Sequence, residues 1–120
     1  MGVIWHGSYL RYFEDGREAF GREFGLTYLE VYNQGFFVPI VRSEIDHKFV
    51  VKYGDEIQIT TTLIPTNAAK IVFEYEVMNI TENQLAATGK TTQVFLNSET
   101  NELHLTRPDF YENWLKEMSL

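Results

Sequence analysis

Histidines, carboxylates and hydroxyls are the side chains available for acid–base or nucleophilic chemistry in this 120-residue sequence, which contains no cysteine. The lack of cysteine excludes disulfides, thiolate nucleophiles and Cys-held zinc or iron–sulfur centres. His6 stands in Trp5-His6-Gly7-Ser8-Tyr9, where a short apolar stretch gives way to a helical pattern. A histidine there can serve as a general base, a substrate hydrogen-bonding group or a structural cap, and since spacing fixes no partner carboxylate, the residues alone favour the cap. Glu14 and Asp15 follow in the second helical turn. Glu14 can supply a catalytic carboxylate or, one i,i+3 step from Arg17, half of a structural ion pair, and Asp15 reads as a solvated helix-face charge. Asp46-His47 resembles a carboxylate–histidine dyad, but adjacent strand residues point to opposite faces. Thr88-Gly89-Lys90-Thr91-Thr92 lacks the first glycine of a phosphate loop and sits in a strand pattern. His104 is isolated, and three well-separated histidines supply no metal-ligand spacing.

The elements that must position these groups are legible in the periodicity. From Ser8 to Phe24 the residues Tyr9, Phe13, Phe20 and Phe24 recur at three-to-four-residue multiples with charges between them, the pattern of an amphipathic helix. Ser8 is the expected N-cap and Gly25 the expected stop. Gly16 and Gly21 each cost such a helix about 1 kcal/mol relative to Ala, so close packing of a strand or a ligand must compensate. A short second helix is expected over Thr27 to Gln34, ended by Gly35. Strands follow at Phe36 to Val51 with Pro39 interrupting, Glu56 to Ile64, Ile71 to Ile80 and Leu85 to Leu96, joined by turn residues such as Tyr53-Gly54-Asp55 and Pro65-Thr66-Asn67. Thr106 and Pro108 open a final amphipathic helix carrying Phe110, Trp114, Leu115 and Met118. One long helix and four or more antiparallel strands imply an α+β fold in which a curved sheet wraps around the helix, because the helix aromatics need a concave apolar surface.

The opening motif resembles the hotdog-fold acyl-CoA thioesterases, in particular the 4-hydroxybenzoyl-CoA thioesterase-like group. That group reads Asp-x-x-Gly-Val-Val-(Tyr/Trp)-His-x-(Asn/Ser)-Tyr and then Phe-Glu-x-x-Arg. Here Gly2-Val3-Ile4-Trp5-His6-Gly7-Ser8-Tyr9 and Phe13-Glu14-Asp15-Gly16-Arg17 match in order and spacing. Val38-Pro39-Ile40-Val41, Ile45-Asp46-His47, Gly54-Asp55 and the closing Arg107-Pro108 continue the match along the chain. The resemblance implies a hotdog fold, hydrolysis of an acyl-CoA thioester, and a catalytic role at His6 through the backbone N–H of that position. This N–H would meet the thioester carbonyl at a helix N-terminus, where the macrodipole of roughly +0.5 charge favours a developing oxyanion. Trp5, Gly7, Ser8 and Tyr9, with Val38, Pro39 and Ile40, are implied as substrate-binding residues at a subunit interface. The family's catalytic Asp and its first strand would fall before Met1, so the chain is expected to begin inside the motif. The rival reading is a non-catalytic hotdog protein that binds an acyl ligand or serves as an assembly partner. A hotdog dehydratase would show a different histidine–carboxylate motif, which is not found.

Composition sets the remaining bounds. With 44% hydrophobic and 15% aromatic residues, the whole chain, residues 1–120, is expected to be one domain whose small size favours a homodimer or homotetramer. No apolar run approaches the ~20 residues of a membrane span and no signal-peptide pattern opens the chain, so neither membrane insertion nor export is expected and a cytoplasmic location is. A net charge of −7 disfavours nucleic acid and requires local cations, such as Lys48, Lys52 or Lys90, beside the phosphates of an acyl-CoA. No cofactor is implied. A form extended upstream to carry the family's Asp should turn over acyl-CoA about 10²–10⁴-fold faster than the chain as it stands, the usual worth of a positioned base or nucleophile. Equal rates for the two forms would remove the need for that residue.

Overall fold

The computed structural model describes residues 8–120. Helix α1 covers Ser8–Phe24 and α2 Tyr28–Asn33, followed by strands β1 (Phe36–Phe37), β2 (Ile40–His47), β3 (Ile57–Ile64), β4 (Lys70–Asn79), β5 (Gln84–Val94) and β6 (Leu96–Asn97) and by helix α3 (Asp109–Glu117). Four strands form an antiparallel sheet in the order β2-β5-β4-β3, and β1 pairs with β6 in a small separate ladder. This is the expected α+β layout of a long helix, an antiparallel sheet and a C-terminal helix. The expectation that the first strand is missing concerns residues outside those described.

The strand register arranges the helix-facing side chains in rows. His47, Ala87, Val77 and Ile59 form one row, Ile45, Gly89, Tyr75 and Thr61 the next, and Ser43, Thr91, Phe73 and Leu63 a third. Alternation puts these residues on the inner face and Glu44, Asp46, Glu74, Glu76 and Lys90 on the outer one. Helix α1 crosses the rows in order. Tyr9 packs on His47 with ring centroids 4.9 Å apart, Phe13 stacks on Tyr75 at 4.3 Å and 12°, and Phe20 meets Phe73 edge-on at 5.1 Å.

Two glycines let helix and sheet come this close. A Cβ on Gly89 would run into the Phe13 ring, and one on Gly16 would run into the Thr61 hydroxyl. Gly21 faces the carbonyl of Leu26, so the packing expected at the helix glycines is supplied by β3 and by the returning chain. At its far end α1 is capped from a distance, where the Trp114 Nε1–H donates to the Phe24 carbonyl at 2.7 Å and satisfies one of the helix's orphan acceptors. Beneath α3, Phe36, Phe95, Phe110, Tyr111 and Trp114 pack ring against ring.

Some sequence expectations shift. Ser8 lies within α1 rather than capping it. Thr27 caps α2 with Glu30 in a reciprocal capping box, a Thr-x-x-Glu signature visible in the sequence. Pro39 interrupts the strand as expected, separating β1 from β2, and the register slips in a bulge between Ile40 and Arg42. Among the described residues no helix is long and apolar enough to cross a membrane.

The helix aromatics, expected to bury alike against the sheet, do not. Phe13 is fully buried, but Phe20, packed on Phe73, Phe24 and Trp114, is only half-buried and Phe24 is 38% exposed. Phe13→Ala should therefore cost about 3–5 kcal/mol in denaturant unfolding, and Phe20→Ala clearly less. Equal losses would mean that the helix lies uniformly against the sheet.

Candidate active site

The start of α1 is held by aromatic packing. Tyr9 is 3% exposed and is clamped edge-on between Tyr12 at 5.6 Å and His47 at 4.9 Å. Burial raises the pKa of both phenols, with the neighbouring tyrosine adding to the shift at Tyr9 and Asp15 and Tyr53 adding at Tyr12. Tyr9 is thus an anchor that fixes the opening turn against the end of β2. Ser8 precedes it in the same helix. Trp5, His6 and Gly7 lie outside the described residues. Asp46 and His47 do face opposite sides of the sheet, His47 toward Tyr9 and Asp46 toward the outer depression shared with Lys90.

Further along, α1 passes over a cavity of about 640 Å³ lined by apolar Leu26, Val31, Val38, Ile40, Ile71 and Phe73, with Gln93 on its floor and Glu14, Arg17, Glu18 and Arg22 along its helix side. Such a size suits a small-molecule ligand, and an apolar lining with few placed polar groups is the usual composition of such sites. Val38 and Ile40 line the cavity directly, and Pro39 is the bend that carries them there. The bend is fixed from behind, because the Gln93 Nε2–H donates to the Val38 carbonyl at 2.8 Å and the Val94 N–H donates to the Pro39 carbonyl at 3.2 Å.

The polar groups under the helix differ from the expected Glu14–Arg17 pair. Arg17 Nη1 donates to the Tyr75 hydroxyl at 3.0 Å, and that hydroxyl shares a 2.6 Å hydrogen bond with Thr91 Oγ1. Burial pushes the Tyr75 phenol up while Thr91 and Arg17 pull it down. Glu14 makes no ion pair among the described residues; the only helix pair is the exposed Arg22–Glu18 contact at 3.9 Å. A hydroxyl reached from 58 residues away thus takes the guanidinium that local spacing assigns to Glu14, and Glu14 stays exposed at the cavity mouth.

These pieces do not all meet within one chain. The start of α1 lies at the His47 end of β2, and Val38 and Ile40 lie at its other end. Seven strand residues at ~3.3 Å each put the two roughly 23 Å apart. Of the cations considered for phosphates, Lys48 follows β2 on the side of the helix start. Lys90 sits across the sheet between Glu44 and Glu74 in register, away from the helix.

The family model of the thioesterase-like superfamily matches residues 1–115. YneP of Bacillus subtilis (strain 168), named only provisionally as an acyl-CoA thioesterase, is 30% identical over 79 residues, which are 66% of this chain and 57% of that protein. The chain therefore spans little more than half of this relative. A DHNA-CoA thioesterase from Staphylococcus aureus superimposes with a TM-score of 0.83 at 27% identity, over 100% of this chain and 82% of the other. Slr0204, a 1,4-dihydroxy-2-naphthoyl-CoA thioesterase from Synechocystis, gives the same TM-score at 19% identity, over 99% and 87%; this second likeness bears on the fold, which is that of the hotdog thioesterases.

The rearranged pairing can be tested by stability. Tyr75→Phe leaves Arg17 and Thr91 without their shared partner and should cost about 1–3 kcal/mol, whereas Glu14→Gln should stay within about 0.5 kcal/mol of wild type. The reverse order in urea unfolding would reinstate the Glu14–Arg17 pair.

Proposed function

This chain belongs to the thioesterase-like superfamily, and from that premise we propose that it hydrolyses a cytoplasmic acyl-CoA to free acid and coenzyme A at a site shared by two copies. The observation that carries this reading is the opposed placement of the helix start and the Val38–Ile40 bend at the two ends of β2. That strand is a sheet edge, exposed along most of its length, with Ile40 and Val41 at 40% and 59% exposure. Open edges invite pairing. Antiparallel pairing of β2 with β2 of a second copy about a two-fold axis is isologous, and it sets the helix start of one protomer beside the bend and cavity of its partner.

The division of labour follows. The backbone N–H of His6, the donor the family resemblance implies, takes the thioester carbonyl oxygen and stabilises the oxyanion that develops on water attack. Tyr9, clamped by Tyr12 and His47, keeps that turn in place. Val38 and Ile40 of the other protomer receive the acyl group, and Lys48 and Lys52 supply positive charge on the side where the coenzyme would leave. A carboxylate activates the water. The resemblance puts an Asp upstream in that role, and Glu14 stands exposed at the mouth of the cavity.

Light scattering should give at least a dimer mass, and Val41→Glu, which sets like charges against each other across the paired edges, should yield monomers whose acyl-CoA turnover falls ~10²-fold or more, the scale of a misplaced catalytic group. A monomer with undiminished turnover would refute the shared site. A dimer that binds acyl-CoA without hydrolysing it would favour the non-catalytic acyl-binding reading.

A further inference from the structure

One side chain in the cavity has chemistry that the hydrolysis itself does not use. Gln93 is 9% exposed and lines the cavity floor among Val38, Ile40, Ile71 and Phe73. Its amide is oriented by the hydrogen bond from Nε2–H to the Val38 carbonyl at 2.8 Å, so the positions of its nitrogen and oxygen are not interchangeable. The Oε1 atom takes no hydrogen bond from any described residue. Thr91, the next polar residue inward on β5, is different, since its hydroxyl is already committed to Tyr75. The apolar sheet side of the cavity therefore carries one fixed acceptor with spare capacity, and a ligand that covers it without offering a donor leaves it unmet at a cost.

We propose that Gln93 is a specificity-determining residue that reads a hydroxyl on the acyl group, so that the cavity selects hydroxylated acyl thioesters over their plain counterparts. This rests on the cavity being the acyl site of the proposed thioesterase. A hydroxyl placed opposite Oε1 donates to it and loses nothing relative to water. A saturated chain of the same length strips water from Oε1 and returns no partner, so discrimination comes as much from rejecting the plain chain as from holding the hydroxylated one. Gln93 lies directly behind the bend that faces the partner's helix start, which puts the read position near the thioester end of the acyl group.

The test is equilibrium binding of the full chain to S-octyl-CoA and to S-octyl-CoA thioethers carrying one hydroxyl at each of carbons 3 to 8, measured by calorimetry. These thioethers have no hydrolysable bond. At one position, in the half of the chain nearer the sulfur, the hydroxyl should strengthen binding about 3- to 10-fold. Gln93→Met should abolish that gain. Gln93→Glu, which keeps an acceptor but loses the bond to Val38, should retain it, whereas a merely structural role for Gln93 would weaken all the thioethers alike in both variants. Binding of plain and hydroxylated thioethers with equal affinity at every position, or a gain that persists in Gln93→Met, overturns the assignment while leaving the acyl-CoA reading intact. Failure of every thioether to bind overturns both.

Discussion

The stacking of Phe13 on Tyr75 over Gly89 is the contact from which the rest of the arrangement follows. It needs a glycine in the middle of β5, because a side chain there would occupy the space of the ring, and it fixes α1 in one position and direction across the sheet. With Phe13 held on the second row of inward-facing residues, Tyr9 must reach His47 on the first and Phe20 must reach Phe73 on the third. The helix start is thereby tied to the end of β2. The second half of the helix continues over Phe73, and the cavity opens along its Arg17, Glu18 and Arg22 side.

That geometry separates what the chemistry requires. The donors of the helix start and the apolar bend at Val38–Ile40 belong to the same chain but to opposite ends of one strand. The strand is antiparallel to the helix, so lengthening or bending a loop does not bring them together. A two-fold axis through the exposed edge of β2 does, and it covers a strand edge that is unpaired in the single chain. The incomplete site and the open sheet edge thus call for the same second copy.

Much of the fold was legible because it is written in local periodicity. The 3.6-residue spacing of Tyr9, Phe13, Phe20 and Phe24 marks α1 from Ser8 to Phe24, the alternation of Ile71, Phe73, Tyr75 and Val77 marks β4, and Pro39 marks the bend. Local spacing misled where long-range contacts compete. Arg17 is one turn from Glu14 but bonds to Tyr75, and Phe20 shares a stripe with Phe13 but is only half-buried, among Phe73, Phe24 and Trp114. The small β1–β6 ladder and the cavity, assembled from two helices and three strands, leave no local trace. Gln93 could have been noticed, since Ala87, Gly89, Thr91 and Gln93 alternate onto the inner face and a long polar side chain stands out in that series. The resemblance named the helix-start residues, but Trp5, His6 and Gly7 lie outside those described, and only Ser8 and Tyr9 of that group can be placed.

The central claim, that each site takes its helix start from one chain and its acyl cavity from the other, is tested most directly by complementation. Ser8→Pro removes a backbone donor at the helix start, and Ile40→Trp fills the cavity. Each variant alone should be inactive. In mixed dimers one of the two sites is built from the unaltered helix start of one chain and the unaltered cavity of the other, so unfolding and refolding the two variants together at equal amounts should restore about a quarter of wild-type turnover if pairing is random. Turnover no higher than that of the separate variants would contradict the shared site and place the whole reaction within a single chain.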